Sequence, residues 1–321
     1  MTAATLTVTV SRKWSEAQDI CGFEFASLDG SPLPRFSAGS HVDVHIPGGL
    51  IRQYSLCNNP DDSSRYQIAV LRDPNGRGGS RAIHDTVREG DIIQISEPKN
   101  HFPLAHEAHH HLLLAGGIGI TPILCMAERL TSIGDKFSLH YCSRTPPRTA
   151  FKTRINEGRF NERVAFHYDD GDQIQKFDLE GTLASAAAGT HLYVCGPRGF
   201  MDAVLECARR LKWDESRLHY EFFGGTVEKS AGDKTFKIRL ASSGITLDVS
   251  PDCTVVEALA ANGIEVPTSC EQGVCGTCVT RVIEGEPDHR DSYLTEEEKA
   301  AGDQFLPCCS RARTPLLVLD L

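Results

Sequence analysis

The stretch Cys270-Glu271-Gln272-Gly273-Val274-Cys275-Gly276-Thr277-Cys278 sets three thiols at C-x4-C-x2-C spacing, and a further pair, Cys308 and Cys309, follows near the C-terminus. Gly273 and Gly276 let the backbone between the thiols curl without Cβ clashes, so the three side chains can converge on one small object. This spacing, with a fourth cysteine far along the chain, is the ligand pattern of a [2Fe–2S] cluster. Cys308, thirty residues past Cys278 in the turn-like Leu306-Pro307-Cys308-Cys309-Ser310, is the expected fourth ligand. Zinc competes less well, because structural zinc sites usually present two C-x2-C or C-x2-H pairs and only one occurs here. A disulfide is the plainest alternative, and it needs an oxidising compartment.

The rest of the chain offers no address for such a compartment. Residues 1–10 alternate like a strand and carry neither the basic nor the apolar region of a signal peptide, so a cytoplasmic location is expected. Hydrophobic residues make up 40% and charged residues 24% of the 321, as in an ordinary globular protein, and no run reaches the roughly 20 apolar residues of a membrane span. Of the twelve cysteines, those outside the cluster set read as reduced core thiols, Cys142 and Cys195 lying in apolar strand-like runs. A net charge of −10 without a basic stripe argues against nucleic acid. No membrane partner is expected either.

Length and patterning predict three domains. Residues 226–234 are polar and aperiodic, a linker. Beyond it, 235–321 opens with a hairpin, Phe236–Leu240 and Thr246–Val249, and carries capping boxes at Thr254/Glu257 and Thr295/Glu298. The run Asp288-His289-Arg290-Asp291 reads as a solvated charge run. Gly273 and Gly276 are expected to leave the cluster loop with little side-chain cover.

Residues 1–106 show short alternating runs parted by turns at Asp29-Gly30, Pro47-Gly48-Gly49 and Glu89-Gly90-Asp91, the mark of an antiparallel β-barrel. Arg52-Gln53-Tyr54-Ser55 puts Arg52 and Tyr54 on one strand face. The glycine-rich Asn75-Gly76-Arg77-Gly78-Gly79-Ser80 leads into a helix, and free N–H groups there favour a phosphate. In 107–225 strands alternate with helices, as in a parallel α/β sheet. Gly116-Gly117-Ile118-Gly119-Ile120-Thr121-Pro122 follows the apolar strand 110–115, and Pro122 stands where the Rossmann fingerprint has its third glycine. His106, His109, His110 and His111 sit at the junction and lead into that strand.

These motifs, with Tyr193-Val194-Cys195-Gly196-Pro197 and Tyr220-Glu221-Phe222-Phe223-Gly224, resemble the ferredoxin-reductase family. The form Gly-Arg-Gly-Gly-Ser looks like its phthalate dioxygenase reductase branch, which uses FMN, and the 235–321 region is similar to a plant-type ferredoxin. The resemblance implies that Tyr54 stacks on the flavin, that Ser55 bonds near its N5, and that Arg52, Gly78, Gly79 and Ser80 take the phosphate. It implies further that Gly116, Gly117, Gly119 and Thr121 take the nucleotide pyrophosphate. Cys195, Gly196 and Pro197 would lie beside the nicotinamide, and Phe223 would shield the flavin. Arg144 could favour the 2′-phosphate of NADPH, yet the resembled reductases generally use NADH, and NADH is the expectation.

The function so implied is an NADH-dependent reductase that passes electrons through FMN and the cluster to a separate Rieske-type oxygenase acting on an aromatic or amine substrate. A monomer is expected. No Rieske C-x-H…C-x2-H pattern and no recognisable 2-His-1-carboxylate set occurs in the chain, so oxygen activation would fall to the partner. Two rivals stand beside it. One is an electron-carrier or redox-sensing module without efficient NADH oxidation. The other is a methane- or toluene-type reductase, which places its ferredoxin first.

Overall fold

Alternation in the first hundred residues becomes an antiparallel sheet in the computed structural model, which describes residues 5–76, 78–223, 232–268 and 270–321. Its strands are β1 (Thr5–Ala17), β2 (Ile20–Ser27), β3 (Ser40–Ile46), β4 (Leu50–Ser55) and β5 (Tyr66–Leu71), then β6 (Ile92–Ser96) and β7 (Lys99–Asn100) after helix α1 (Gly79–Thr86). The sheet order is β4-β3-β6-β1-β2-β5, with β7 also on β3. β1 runs well beyond the alternating residues 1–10 because register shifts at Val10/Arg12 and Ser15/Ala17 bend it while it stays paired with β2. Inward residues such as Val8, Val10, Phe23, Phe25, Val42, Val44, Ile68 and Ile95 form the barrel core.

The period then changes. β8 (His110–Gly116), β9 (Phe137–Ser143), β10 (Val164–Tyr168), β11 (Thr190–Cys195) and β12 (Leu218–Glu221) make a parallel sheet in the order β10-β9-β8-β11-β12. Helices α2 (Ile120–Ile133), α3 (Lys152–Glu157), α4 (Leu179–Ala184) and α5 (Arg198–Arg210) alternate with the strands. Pro122 sits in the first turn of α2, where its missing N–H is no loss. Ile20, Ala38, Cys57, Ala69 and Phe102 of the antiparallel region share one core with Leu113, Ile123, Leu124 and Tyr193 of the parallel region. Both sheets accordingly belong to one unit, Met1–Phe223.

The second unit, Gly224–Leu321, has its own core around Phe236, Ile238, Val255, Leu259, Phe305 and Leu317. β13 (Phe236–Leu240) and β14 (Thr246–Val249) form the expected hairpin, α6 (Val255–Ala260) follows, and β15 (Thr280–Glu284), β16 (Pro287–Asp288), α7 (Glu296–Ala301), β17 (Gln304–Phe305), β18 (Arg311–Ala312) and β19 (Leu316–Leu319) complete it. The main sheet runs β14-β13-β19-β15-β17, with a parallel β13–β19 pair at its centre. Both capping boxes form, at Thr254/Glu257 and Thr295/Glu298. Most of the expected linker, residues 226–231, lies outside the described residues. Among the described residues no helix is long and apolar enough to cross a membrane.

The run 288–291 is not a solvated charge run. The Asp291 side chain is fully buried and that of His289 nearly so, while Arg290 folds inward onto Asp233. The residues carry the charge pattern of a surface loop, but Arg290 finds a buried partner in Asp233, 57 residues away, while His289 lies against Asp291 within the run.

Candidate functional site

In the second unit the cysteine loop and the 306–310 turn bring their sulfurs together. Cys270, Cys275, Cys278 and Cys308 are all buried. Their thiols touch: the Cys270 sulfur accepts from Cys275 and Cys308, which pulls Cys270 far below the usual thiol range, and Cys278 is lowered by Cys308 in the same way. Cys275 and Cys308 are pushed up in return. Among the described residues no three His, Cys, Asp or Glu side chains gather around a single-ion site. The contacts run continuously from Cys275 through Cys270 and Cys308 to Cys278, one set of four soft ligands suited to an iron–sulfur group.

Cys309 is also buried, and its thiol faces the Leu306 carbonyl at 3.7 Å and packs under Gly273. The loop glycines are therefore packing positions, which corrects the expectation that they leave the loop bare. Gly276 shows this best. Its φ is +71°, and a Cβ there would stand 2.1 Å from the Tyr293 ring, so only glycine admits the ring that covers the loop.

In the first unit, β4 carries Arg52, Tyr54 and Ser55. The Arg52 stem lies against Gly79, where a Cβ would be 2.6 Å from its Cγ, and Nη1 donates to the Ile51 carbonyl at 2.7 Å. Gly78 takes the left-handed conformation as the N-cap of α1, and the Ser80 hydroxyl accepts from Asp73 N–H at 3.1 Å. A guanidinium and an open helix N-terminus thus share one spot, a cradle for an anion. Arg77 of this loop lies outside the described residues. Burial pushes the Tyr54 hydroxyl well above its ordinary range, and the phenol packs at the barrel core.

The turn after β8 meets the turn after β11. A Cβ on Gly119 would lie 2.2 Å from the Cys195 carbonyl oxygen, so the close approach of the two loops requires glycine. A Cβ on Gly196 would lie 2.9 Å from the Gly116 Cα, and the Thr121 hydroxyl holds the turn by donating to the Ile118 carbonyl at 3.1 Å. Beside these turns opens a cavity of about 840 Å³, lined by Gly116, Gly117, Ser143, Arg144, Asp169 and Pro197 among others. It lies at the carboxyl ends of parallel strands, where nucleotides bind in such sheets.

One residue of this region was not foreseen. Glu221, paired with Cys195 across β11–β12, accepts from the Ser55 hydroxyl at 3.2 Å and lies 4.0 Å from His41. Burial raises its carboxyl to about 7, against the lowering effect of the Ser55 bond. The buried Cys195 thiol is raised too, first by burial and then by Glu221. In the sequence only the flanking aromatics drew notice; the signal was an acid at the end of the strand Leu218–Glu221. Phe222 is held by the Arg198 guanidinium 5.0 Å over its ring, while Phe223 stands 39% exposed and is the aromatic left available.

The family described as "2Fe-2S iron-sulfur cluster binding domain" matches residues 238–313, and "Dimethylamine monooxygenase subunit DmmA-like, N-terminal domain" matches 96–218. The vanillate O-demethylase oxidoreductase of Pseudomonas sp. strain HR199 is 54% identical over 305 residues, 95% of this chain and 96% of the relative. The solved structure of phthalate dioxygenase reductase, described as a modular structure for electron transfer from pyridine nucleotides to [2Fe-2S], superposes with a TM-score of 0.80 at 40% identity, covering 99% of this chain and 98% of that one. An intact type IV self-sufficient cytochrome P450 monooxygenase matches with a TM-score of 0.82 at 39% identity, over 99% of this chain and 41% of that chain.

Proposed function

The chain belongs to the phthalate dioxygenase reductase family, and we propose that it oxidises NADH by way of FMN and a [2Fe–2S] cluster and delivers the electrons to a separate oxygenase. The observation that carries this reading is the meeting of Ser55 from the barrel with Cys195 and Glu221 from the parallel sheet. Hydride transfer needs the flavin module and the nucleotide module to present reactive groups at one point. A nicotinamide gives two electrons together, a cluster accepts one, and a flavin exchanges with both.

Arg52 and the backbone of Gly78, Gly79 and Ser80 hold the flavin phosphate. Tyr54 supports the ring, Ser55 is oriented toward its edge by Glu221, and Phe223 covers it until the nicotinamide arrives. Gly116, Gly117, Gly119 and Thr121 receive the pyrophosphate at the start of α2, and Cys195, Gly196 and Pro197 border the nicotinamide. Cys270, Cys275, Cys278 and Cys308 ligate the iron, with Cys309 an ordinary packed thiol. The modules so defined are 1–106 for FMN, 107–225 for NADH, 226–234 as linker and 235–321 for the cluster. The relatives named as demethylase and dioxygenase reductases support an oxygenase partner. We propose further that this partner is of Rieske type and acts on an aromatic or amine substrate, and that this chain is a cytoplasmic monomer. A haem oxygenase partner is the second reading, favoured by the likeness to a module of a self-sufficient P450.

The test is NADH-driven electron flow in the purified chain. NADH should bleach the flavin, and cytochrome c reduction should fall strongly in Cys275→Ser while bleaching persists. Added Rieske oxygenase should be reduced faster than an added P450 domain; the reverse order selects the second reading. If the chain alone oxygenates an aromatic or amine substrate, catalase being present, the assignment as a reductase component is wrong.

A further inference from the structure

Three irregular backbone positions meet beside the nucleotide cavity. Glu16 stands in the register shift between Ser15 and Ala17, Asp19 in the β1–β2 turn has φ +62°, and Phe151 has φ +60°. Hydrogen bonds join them. The Phe151 N–H donates to Glu16 Oε1 at 2.7 Å, the Gln18 N–H to the Pro147 carbonyl at 2.9 Å, and Arg148 Nη2 to Asp19 Oδ2 at 2.9 Å. The hairpin turn of the barrel therefore holds the segment 144–151 that follows β9, and both belong to the unit Met1–Phe223. Backbone kept in sparsely populated conformations is held there by its surroundings and marks a place to look for function.

Asp19 and Arg148 also line the 840 Å³ cavity, with Arg72, Asp73, Arg144 and Asp169. The arginines are not equivalent. Arg72 is paired with Asp85 at 2.8 Å and Arg148 with Asp19, whereas Arg144 has no ion pair among the described residues. Asp169 follows β10, and its N–H donates to the Ser143 carbonyl at 3.1 Å, which sets an acid beside the Ser143-Arg144 turn. We propose that Asp19 is a specificity-determining residue: by engaging Arg148 it leaves Arg144 as the one cation without an ion pair at that end of the cavity, and so favours NADH over NADPH. This rests on the reading that the cavity takes the nucleotide. The two nucleotides differ by a 2′-phosphate that is close to a dianion at neutral pH, so the count of unengaged cations is what distinguishes them. The Glu16 and Gln18 bonds do not use the Asp19 side chain, so removing its carboxylate frees the Arg148 guanidinium while the loop backbone stays anchored. Arg148 is 36% and Asp19 44% exposed, so the effect has the scale of a surface ion pair.

The experiment uses the full-length chain loaded with flavin and cluster, as parent, Asp19→Asn, Asp19→Gly and the double variant Asp19→Asn/Arg148→Ala. Asn and Gly both accept the positive φ of position 19, so two independent variants keep the turn. Isothermal titration calorimetry measures affinity for 2′,5′-ADP and for 5′-AMP, the adenosine end with and without the 2′-phosphate. Turnover gives kcat/KM with NADPH and with NADH. The expected result is that both Asp19 variants raise the affinity for 2′,5′-ADP relative to 5′-AMP, and with it the NADPH to NADH ratio of kcat/KM, by about fivefold. The gain should shrink as salt rises, because the freed charge is exposed, and it should vanish in the double variant. A loop that was merely loosened would weaken both ligands and leave the ratio alone. An unmoved ratio in Asp19→Asn and Asp19→Gly overturns the proposal, and so does a gain that survives in the double variant. A parent that binds neither ligand refutes the nucleotide reading and the proposal together, whereas a parent that binds them, with variants of unmoved ratio, refutes the proposal alone.

Discussion

Replacing Glu221 by Gln removes a buried carboxyl whose protonation differs between the folded and unfolded chain. In the folded protein burial lifts it from the usual 4.5 to about 7. Between those two values the folded state keeps a proton that the unfolded state has lost, so stability falls as pH rises through the window. The full contribution is present below 4.5, is lost by the time pH has passed about 7, and changes little beyond. At ~1.36 kcal/mol per pH unit the loss is on the order of 3 kcal/mol. The Ser55 hydroxyl, bonded to the carboxylate at 3.2 Å, already offsets part of the burial effect, so Ser55→Ala should shift the window upward.

Both tryptophans, Trp14 and Trp213, lie in the first unit, so their fluorescence during urea unfolding reports on that unit alone. The flavin-loaded parent should lose about 3 kcal/mol more than Glu221→Gln between pH 4.5 and pH 8. Near pH 4.5 the two should be close, because Gln keeps the shape and polarity of the protonated acid. His41, 4.0 Å away, is common to both proteins and cancels in the comparison. Parallel stability curves for parent and variant across the window would refute the reasoning, since they would mean that the carboxyl titrates alike in both states.

Three further outcomes are expected. Cys308→Ala should abolish the cluster, measured as iron per chain and visible absorption, while Cys309→Ala keeps it; the opposite pattern would exchange their roles. Arg52→Ala should weaken FMN retention by about 1.5–3 kcal/mol, the range for a hydrogen bond to a charged group, seen in equilibrium dialysis, and unchanged affinity would remove Arg52 from the phosphate site. Gly276→Ala should cost about 1–2 kcal/mol for the left-handed backbone and about 1–3 kcal/mol for displacing Tyr293, read as an earlier loss of cluster absorbance in urea. In a Tyr293→Ala background only the backbone part should remain.

Most of the architecture was legible because its signals are local. Strands β13 and β14 end where alternation and turn residues put their ends, and both Thr-x-x-Glu patterns became capping boxes. The cysteine spacing was legible for a related reason, since three of the four thiols lie on one loop. What the sequence hid depends on pairing across distance. Glu221 acquires its environment only when β12 lies beside β11 and the Ser55 end of β4 reaches it. Asp288 to Asp291 look like surface because charge is the usual mark of solvent, and only the approach of Asp233, 57 residues earlier, turns the run inward. Gly276 was expected to leave the loop with little side-chain cover, whereas its missing Cβ makes room for the Tyr293 ring. In each case the residue type was visible and the partner was not, so the positions that join distant segments are those that a reading along the chain is least able to find. The same logic says where substitutions will be informative: a change at a strand or cap tests the fold, whereas Glu221, Arg290 and Gly276 join segments whose only connection is function or tertiary contact.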